Sequence, residues 1–319
     1  MVAESDPNEI RIERTYDAPV ALVWAAWTDP RHVAQWWGPR GFTLTTHAKE
    51  LRPGGVWWYT MHGPDGVDYP NKTLYHEVEV ERKLVYDHGG YDDRPPLFRV
   101  TVLFTENDGR TTMRMTMRLP TPEQAEATRR LIREVGGHST WDRLGEFLAE
   151  TFAGRASFVI NRSIAAPRDA VFGFWIDAAR QQRWLPPTGF SMEVLRGEIG
   201  VGKSLLVRMS KPGDITFCCR FDYRVIDPPR RLVYDQRFCT EQEAPAKHPG
   251  LPTFPEVLRT TVEFVDEPFG TTRVVVTSQP LGSVTPDETT AFRETRGGMT
   301  LGWTGSFDRL ETLSAGQVD

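Results

Sequence analysis

The chain has little of what would mark a membrane, metal or nucleic-acid protein. No apolar run approaches the ~20 residues that span a bilayer, and mean hydropathy is -0.43. Cysteine is scarce. Cys218, Cys219 and Cys239 are an odd number confined to the second half, so they give no disulfide framework and no CxxC pair for zinc. The net charge of -5 leaves no electrostatic footprint for nucleic acid or anionic lipid. The opening MVAESDPNEI has no basic patch followed by an apolar stretch, so no secretion signal is expected and the cytoplasm is the expected location. Lysine is rare, six against 32 arginines. HExxH and GxSxG are both missing, which leaves metalloprotease and α/β-hydrolase chemistry unsupported. His32, His47, His62, His76, His88, His138 and His248 show no metal-ligand spacing and read as surface or satisfied residues. No metal or other cofactor is expected.

What is present is 319 residues, 39% hydrophobic and 11% aromatic, with ten tryptophans. At roughly 100–200 residues per domain, that length suggests two domains. An internal repeat gives the same answer. Residues 12–43 align without a gap on 160–191, an offset of 148. Ala18-Pro19, Val23, Trp27, Asp29, Trp36 and Gly41-Phe42 recur as Ala166-Pro167, Val171, Trp175, Asp177, Trp184 and Gly189-Phe190. Leu84-Val85-Tyr86-Asp87 recurs as Leu232-Val233-Tyr234-Asp235, and Asp142-Arg143-Leu144 as Asp308-Arg309-Leu310. A period of about 150 residues is too long for a solenoid unit. The expected domains are therefore 1–153 and 154–319, with the boundary around Gly154.

Each copy reads as a strand, two short helices, a run of strands and a terminal helix. Ile10–Tyr16 alternates as a strand does. Val20, Val23, Trp24 and Trp27 share a helical face, and Asp29-Pro30 starts a second helix that Gly38-Pro39 stops. Strands are expected at Val56–His62, Tyr75–Val80, Lys83–Asp87, Phe98–Phe104 and Thr111–Leu119. Capping boxes at Thr121–Gln124 and Thr285–Glu288 open the terminal helices. Strands followed by a helix indicate α+β architecture.

Ala-Pro-x-x-x-Val-Trp-x-x-Trp-Thr-Asp-Pro (18–30), Gln-Trp-Trp-Gly-Pro-x-Gly-Phe (35–42), Arg-Pro-Gly-Gly-x-Trp (52–57) and Gly-Pro-Asp-Gly (63–66) resemble bacterial relatives of the heat-shock ATPase-activator C-terminal domain. That family lies within the START-like helix-grip (SRPBCC) superfamily. The resemblance spans nearly the whole chain, twice. The second copy departs from it, with Leu185 in place of Trp37, Gly-Val-Gly in place of Arg-Pro-Gly, and a Pro-rich insert around Ala244–Pro255.

The resemblance implies a curved antiparallel sheet gripping a long C-terminal helix, with a cavity between them for an apolar or polycyclic ligand. Trp57, Tyr59 and Met61 alternate along one strand and so share a face, with Leu205, Val207 and Met209 as counterparts. Trp24, Trp27, Trp36, Trp37, Phe42 and Trp141 add aromatic surface in the first copy, and Trp303 and Phe307 lie on the second terminal helix. Tryptophan offers a flat apolar body with one N–H donor. The same residues at helix and strand spacing also read as ordinary core.

Two patterns invite a different chemistry. Gly197–Ser204 matches the phosphate-loop pattern GxxxxGK[ST], which requires a following helix, yet Leu205–Met209 alternates like a strand. A tight turn without nucleotide binding is the expectation. Asn71-Lys-Thr73 and Asn161-Arg-Ser163 match the glycosylation pattern by chance. Of Cys218 and Cys219, which face opposite ways on a strand, one is expected to line the second interior.

The function expected from the resemblance is uptake or sequestration of a hydrophobic, polycyclic aromatic or polyketide-type small molecule, without nucleic-acid or membrane partners. Natural-product biosynthesis or enediyne-type self-resistance is the implied setting. A polyketide cyclase or aromatase is the alternative, and a chaperone ATPase regulator a more distant one. Oligomeric state and ligand identity stay open.

Overall fold

A computed structural model describes residues 6–134, 139–152, 157–267 and 270–315. The expected boundary around Gly154 lies outside the described residues. Contacts divide the chain into two compact units, Met1–Ala153 and Gly154–Asp319.

The first unit runs β1 (Glu9–Tyr16), α1 (Val20–Thr28), α2 (Pro30–Trp36), β2 (Thr43–Lys49), β3 (Val56–His62), β4 (Asp68–Glu79), β5 (Lys83–Gly90), β6 (Phe98–Asn107), β7 (Arg110–Arg118), α3 (Pro122–Glu134) and α4 (Ser139–Phe152). Its seven strands form one antiparallel sheet in the order β1-β7-β6-β5-β4-β3-β2. The second unit repeats this with β8 (Phe158–Ile164), α5 (Arg168–Trp175), α6 (Ala178–Trp184), β9 (Ser191–Gly197), β10 (Ser204–Lys211), β11 (Ile215–Asp227), β12 (Arg231–Cys239), β13 (Val257–Glu267), β14 (Thr271–Pro280) and α7 (Pro286–Ala315). Its strand order, β8-β14-β13-β12-β11-β10-β9, is the same topology.

Period-two alternation sets the inner face of each sheet. In β7, Met113, Met115 and Met117 are buried while Arg114 and Arg118 face outward. Asp29 caps α2, its carboxylate accepting from the Arg31 amide at 2.8 Å, and Asp177 caps α6 in the same way. The copies also share side-chain bonds. Trp36 Nε1 donates to the Ala26 carbonyl at 3.0 Å, and Trp184 Nε1 to that of Phe174 at 3.1 Å.

The sequence reading missed β2. Thr43–Lys49 is polar and half-exposed at the sheet edge, so it carries no apolar alternation to detect. The terminal helices also differ. In the second unit α7 runs unbroken through Gly297-Gly298, opened by a reciprocal cap in which Thr285 Oγ1 accepts from the Glu288 amide and the Glu288 carboxylate accepts from the Thr285 amide. In the first unit the described helical residues form two helices, α3 and α4, flanking 135–138. Helix α4 packs on α1, α2 and β1.

Candidate functional site

Trp27, Trp36, Trp37, Trp57, Tyr59 and Trp141 of the first unit converge on one interior. Trp57 and Tyr59 stack at 4.1 Å on the inner face of β3. Trp37, at the end of α2, joins sheet to helices, with ring centroids 5.2 Å from Trp57, 6.4 Å from Tyr59 and 6.3 Å from Trp141. Trp27 stacks nearly parallel to Trp141 at 5.8 Å. Trp24 packs edge-on to Phe104, whose ring also meets Trp27 at 5.8 Å. Met61 is half-buried beside Gly38 and Phe42. Phe42 packs on Tyr69, apart from the tryptophans. Gly38 has φ of +95°, and a Cβ there would come within 3.3 Å of Phe42 Cβ, so this rim needs glycine.

Polar groups that sequence reasoning did not single out lie in this interior. Lys49 ends β2 directly across from Trp57. Its Nζ sits 3.6 Å above the Trp57 ring and donates to the Tyr75 hydroxyl at 2.9 Å. Lys49 and Tyr59 both lie against the Trp57 indole, which is buried. Part of the Lys49 surface remains accessible. The rings around Nζ still withhold enough water to push its pKa down to about 7, with desolvation as the cause. The Trp57 face opposes this partially by attracting the charged form. His88, on β5, lies 3.5 Å from the Tyr59 hydroxyl and stacks on Phe98. Burial lowers its pKa to about 4, so it is neutral near pH 7. Burial also pushes the Tyr59, Tyr75 and Tyr86 phenols well up. Hence the polar groups around Lys49 are uncharged. No local sequence pattern marks Lys49, because cross-strand pairing is what brings it to Trp57.

The second interior differs. Leu205, Val207 and Met209 are buried in one core with Cys219, Phe221 and Tyr223. Cys219 therefore faces inward, while Cys218 packs outside against Leu206 and Cys239. Trp303 stacks on Trp175 at 5.9 Å, as Trp141 stacks on Trp27. It sits one helical turn before Phe307, the residue aligned with Trp141, and Phe307 is fully buried. The position aligned with Lys49 is Gly197. The Pro-rich insert folds onto its own unit, where Phe254 is buried against Phe238 and Phe292. His248 of the insert packs on Phe217.

Gly197–Ser204 joins antiparallel strands β9 and β10. No helix follows, so no helical N–H array faces the shallow hollow beside it. Lys203 pairs with Glu198 at 3.1 Å. Asn71 and Asn161 are buried in strands, and the Asn71 amide donates to the Tyr69 carbonyl. Among the described residues no cluster of His, Cys, Asp and Glu could hold a metal ion, and no helix is long and apolar enough to cross a membrane.

Sheet, paired short helices and terminal helix, built twice, define a tandem START-like helix-grip protein of the α+β class. The family model described as activator of Hsp90 ATPase homolog 1-like protein matches residues 17–149 and again 165–315, and the chain belongs to that family. No curated protein matches it. Similar solved structures include a protein from Nitrosomonas europaea, at 24% identity over 47% of this chain and 99% of that one, with a TM-score of 0.43. A protein from Arthrobacter aurescens is 27% identical over 47% of this chain and 91% of that one, with a TM-score of 0.43. The di-domain ARO/CYC protein BexL from the BE-7585A biosynthetic pathway is 15% identical over 96% of this chain and 98% of that one, with a TM-score of 0.40.

Proposed function

We propose that the first unit binds a flat, hydrophobic, aromatic small molecule between its sheet and its terminal helices. The observation that carries this reading is the group formed by Trp37, Trp57, Tyr59 and Trp141 together with a partly accessible Lys49 on the Trp57 ring. Ligand sites are mostly apolar with a few placed polar groups, and Lys49, Tyr75 and His88 are such groups. The second unit acts as scaffold in this reading. Its equivalent strand carries Leu205 and Val207, and its own insert supplies Phe254 to the core. Sequestration of an aromatic natural product is the role proposed for the chain, with binding and not turnover as the primary activity.

A cyclase-like enzyme is the second reading. The Tyr59–His88 contact favours it, because a neutral imidazole beside a phenol can move a proton inside an apolar site.

Tryptophan fluorescence of the full chain, titrated with naphthalene, tests the binding. Quenching should saturate, and Trp57→Leu, which installs the residue of the second copy, should weaken binding by about tenfold, or ~1.4 kcal/mol. Quenching that does not saturate, or is unchanged in the variant, would overturn the assignment.

A further inference from the structure

Lys49 is a half-buried amine whose place in the fold calls for another explanation. The second unit builds the same strand pairing with glycine at the aligned position, so the fold does not require a lysine there. A structural lysine in such surroundings ordinarily has a carboxylate partner, because an unpaired buried charge is costly. Among the described residues, Lys49 Nζ has the Trp57 ring and the Tyr75 hydroxyl and ring close to it and no carboxylate, and desolvation is what lowers its pKa. Glu50, the next residue, pairs with Arg52 instead. The groups behind it on β3, β4 and β5 are Tyr59, Tyr75, Tyr86 and His88, all neutral at pH 7.

We propose that Lys49 is a carbonyl-capturing amine, which condenses reversibly with an aldehyde or ketone group of an aromatic ligand held in this interior. The proposal rests on the ligand-site reading above and names the ligand class for it. The neutral amine nitrogen forms a bond to the carbonyl carbon, giving a carbinolamine. Loss of its hydroxyl as water uses the proton that the nitrogen gives up, relayed through the Tyr75 hydroxyl, which accepts one proton as it passes on another and stays neutral, and leaves the C=N bond. One carbonyl and one amine thus give one imine and one water, with no oxidant or reductant. Tyr75 already bonds the nitrogen at 2.9 Å, so it is placed to move that proton.

The low pKa supplies the nucleophile. An ordinary lysine with pKa ~10.4 is less than ~0.1% neutral at pH 7, whereas Lys49, at about 7, is half neutral. Part of that advantage is returned because a weaker base is a weaker nucleophile, so the expected preference is at least about tenfold.

The test treats the full chain with 2-naphthaldehyde and cyanoborohydride at pH 7 and maps the reduced adduct by peptide mass spectrometry. The other five lysines, Lys72, Lys83, Lys203, Lys211 and Lys247, are internal controls, so no variant is needed for the primary result. Lys49 should be labelled at least about tenfold faster than any of them, with a rate that rises through a midpoint near pH 7. Lys49→Met should remove that adduct alone, and Tyr75→Phe should slow it. Equal labelling of all six lysines, while naphthalene still quenches fluorescence saturably, overturns the imine and leaves the binding site standing. Absence of both preferential labelling and saturable quenching overturns the two together. Preferential labelling without saturable quenching overturns the aromatic ligand site and with it the capture of an aromatic carbonyl compound held there.

Discussion

The Lys49 nitrogen lies 3.6 Å above the ring of Trp57, its cross-strand partner in the edge pair β2–β3. A cation over an indole face gains roughly 0.5–2 kcal/mol. No carboxylate partner is present among the described residues, that gain does not offset the lost hydration, and the lysine's pKa falls to about 7. The pair therefore couples the aromatic interior of the first unit to a lysine of lowered pKa.

That coupling sets a pH dependence of stability. Lys49 binds its proton with a pKa of about 7 in the folded chain and ~10.4 in the unfolded chain. Between those values the unfolded state holds more protons, so stability rises with pH across that window. Lys49→Met should be more stable than the parent at pH 6, and the difference should shrink towards pH 10. Denaturant unfolding at a series of pH values checks this. A difference independent of pH would contradict it.

His88 sets an acid limit in the same direction. Its folded pKa of about 4 lies below the unfolded value of ~6.5. It costs nothing above pH 6.5, and stability is lost as pH falls from there towards 4. In His88→Phe the part of the acid sensitivity between these values should disappear, as measured by unfolding midpoints at pH 4.5 and 7.5.

The Gly197–Ser204 turn should not bind nucleotide. Lys203 is exposed and paired only with Glu198, a contact worth ~0–1 kcal/mol. Lys203→Ala should shift stability by at most about 0.5 kcal/mol. Calorimetry with magnesium and ATP should show no heat of binding in either protein. A micromolar affinity lost in the variant would refute this.

The fold was legible because the repeat fixes it. Trp36 and Trp184, Asp29 and Asp177, and the Ala-Pro pairs before α1 and α5 occupy the same places in both copies. The edge strand β2 escaped because Thr43–Lys49 is mostly polar, with Leu44 its one large apolar side chain. That Trp57 and Tyr59 share the inner face was legible from their alternation. The polar part of the site was not, because pairing across strands brings Lys49 to Trp57 and Tyr59 to His88 over sequence gaps that no local pattern encodes. The insert's contribution to the second core was also hidden, because nothing in the sequence signals that Phe254 turns inward.

The most direct test of the ligand site is the indole N–H spectrum of the full chain, labelled with nitrogen-15 at its ten tryptophans. On titration with naphthalene, the resonances of Trp37, Trp57 and Trp141 should shift together and saturate. Those of Trp175, Trp184 and Trp303 in the second unit should stay in place. Saturable shifts confined to the second-unit tryptophans, or no saturable shift at Trp57, would contradict the assignment and leave the first aromatic interior as packed core.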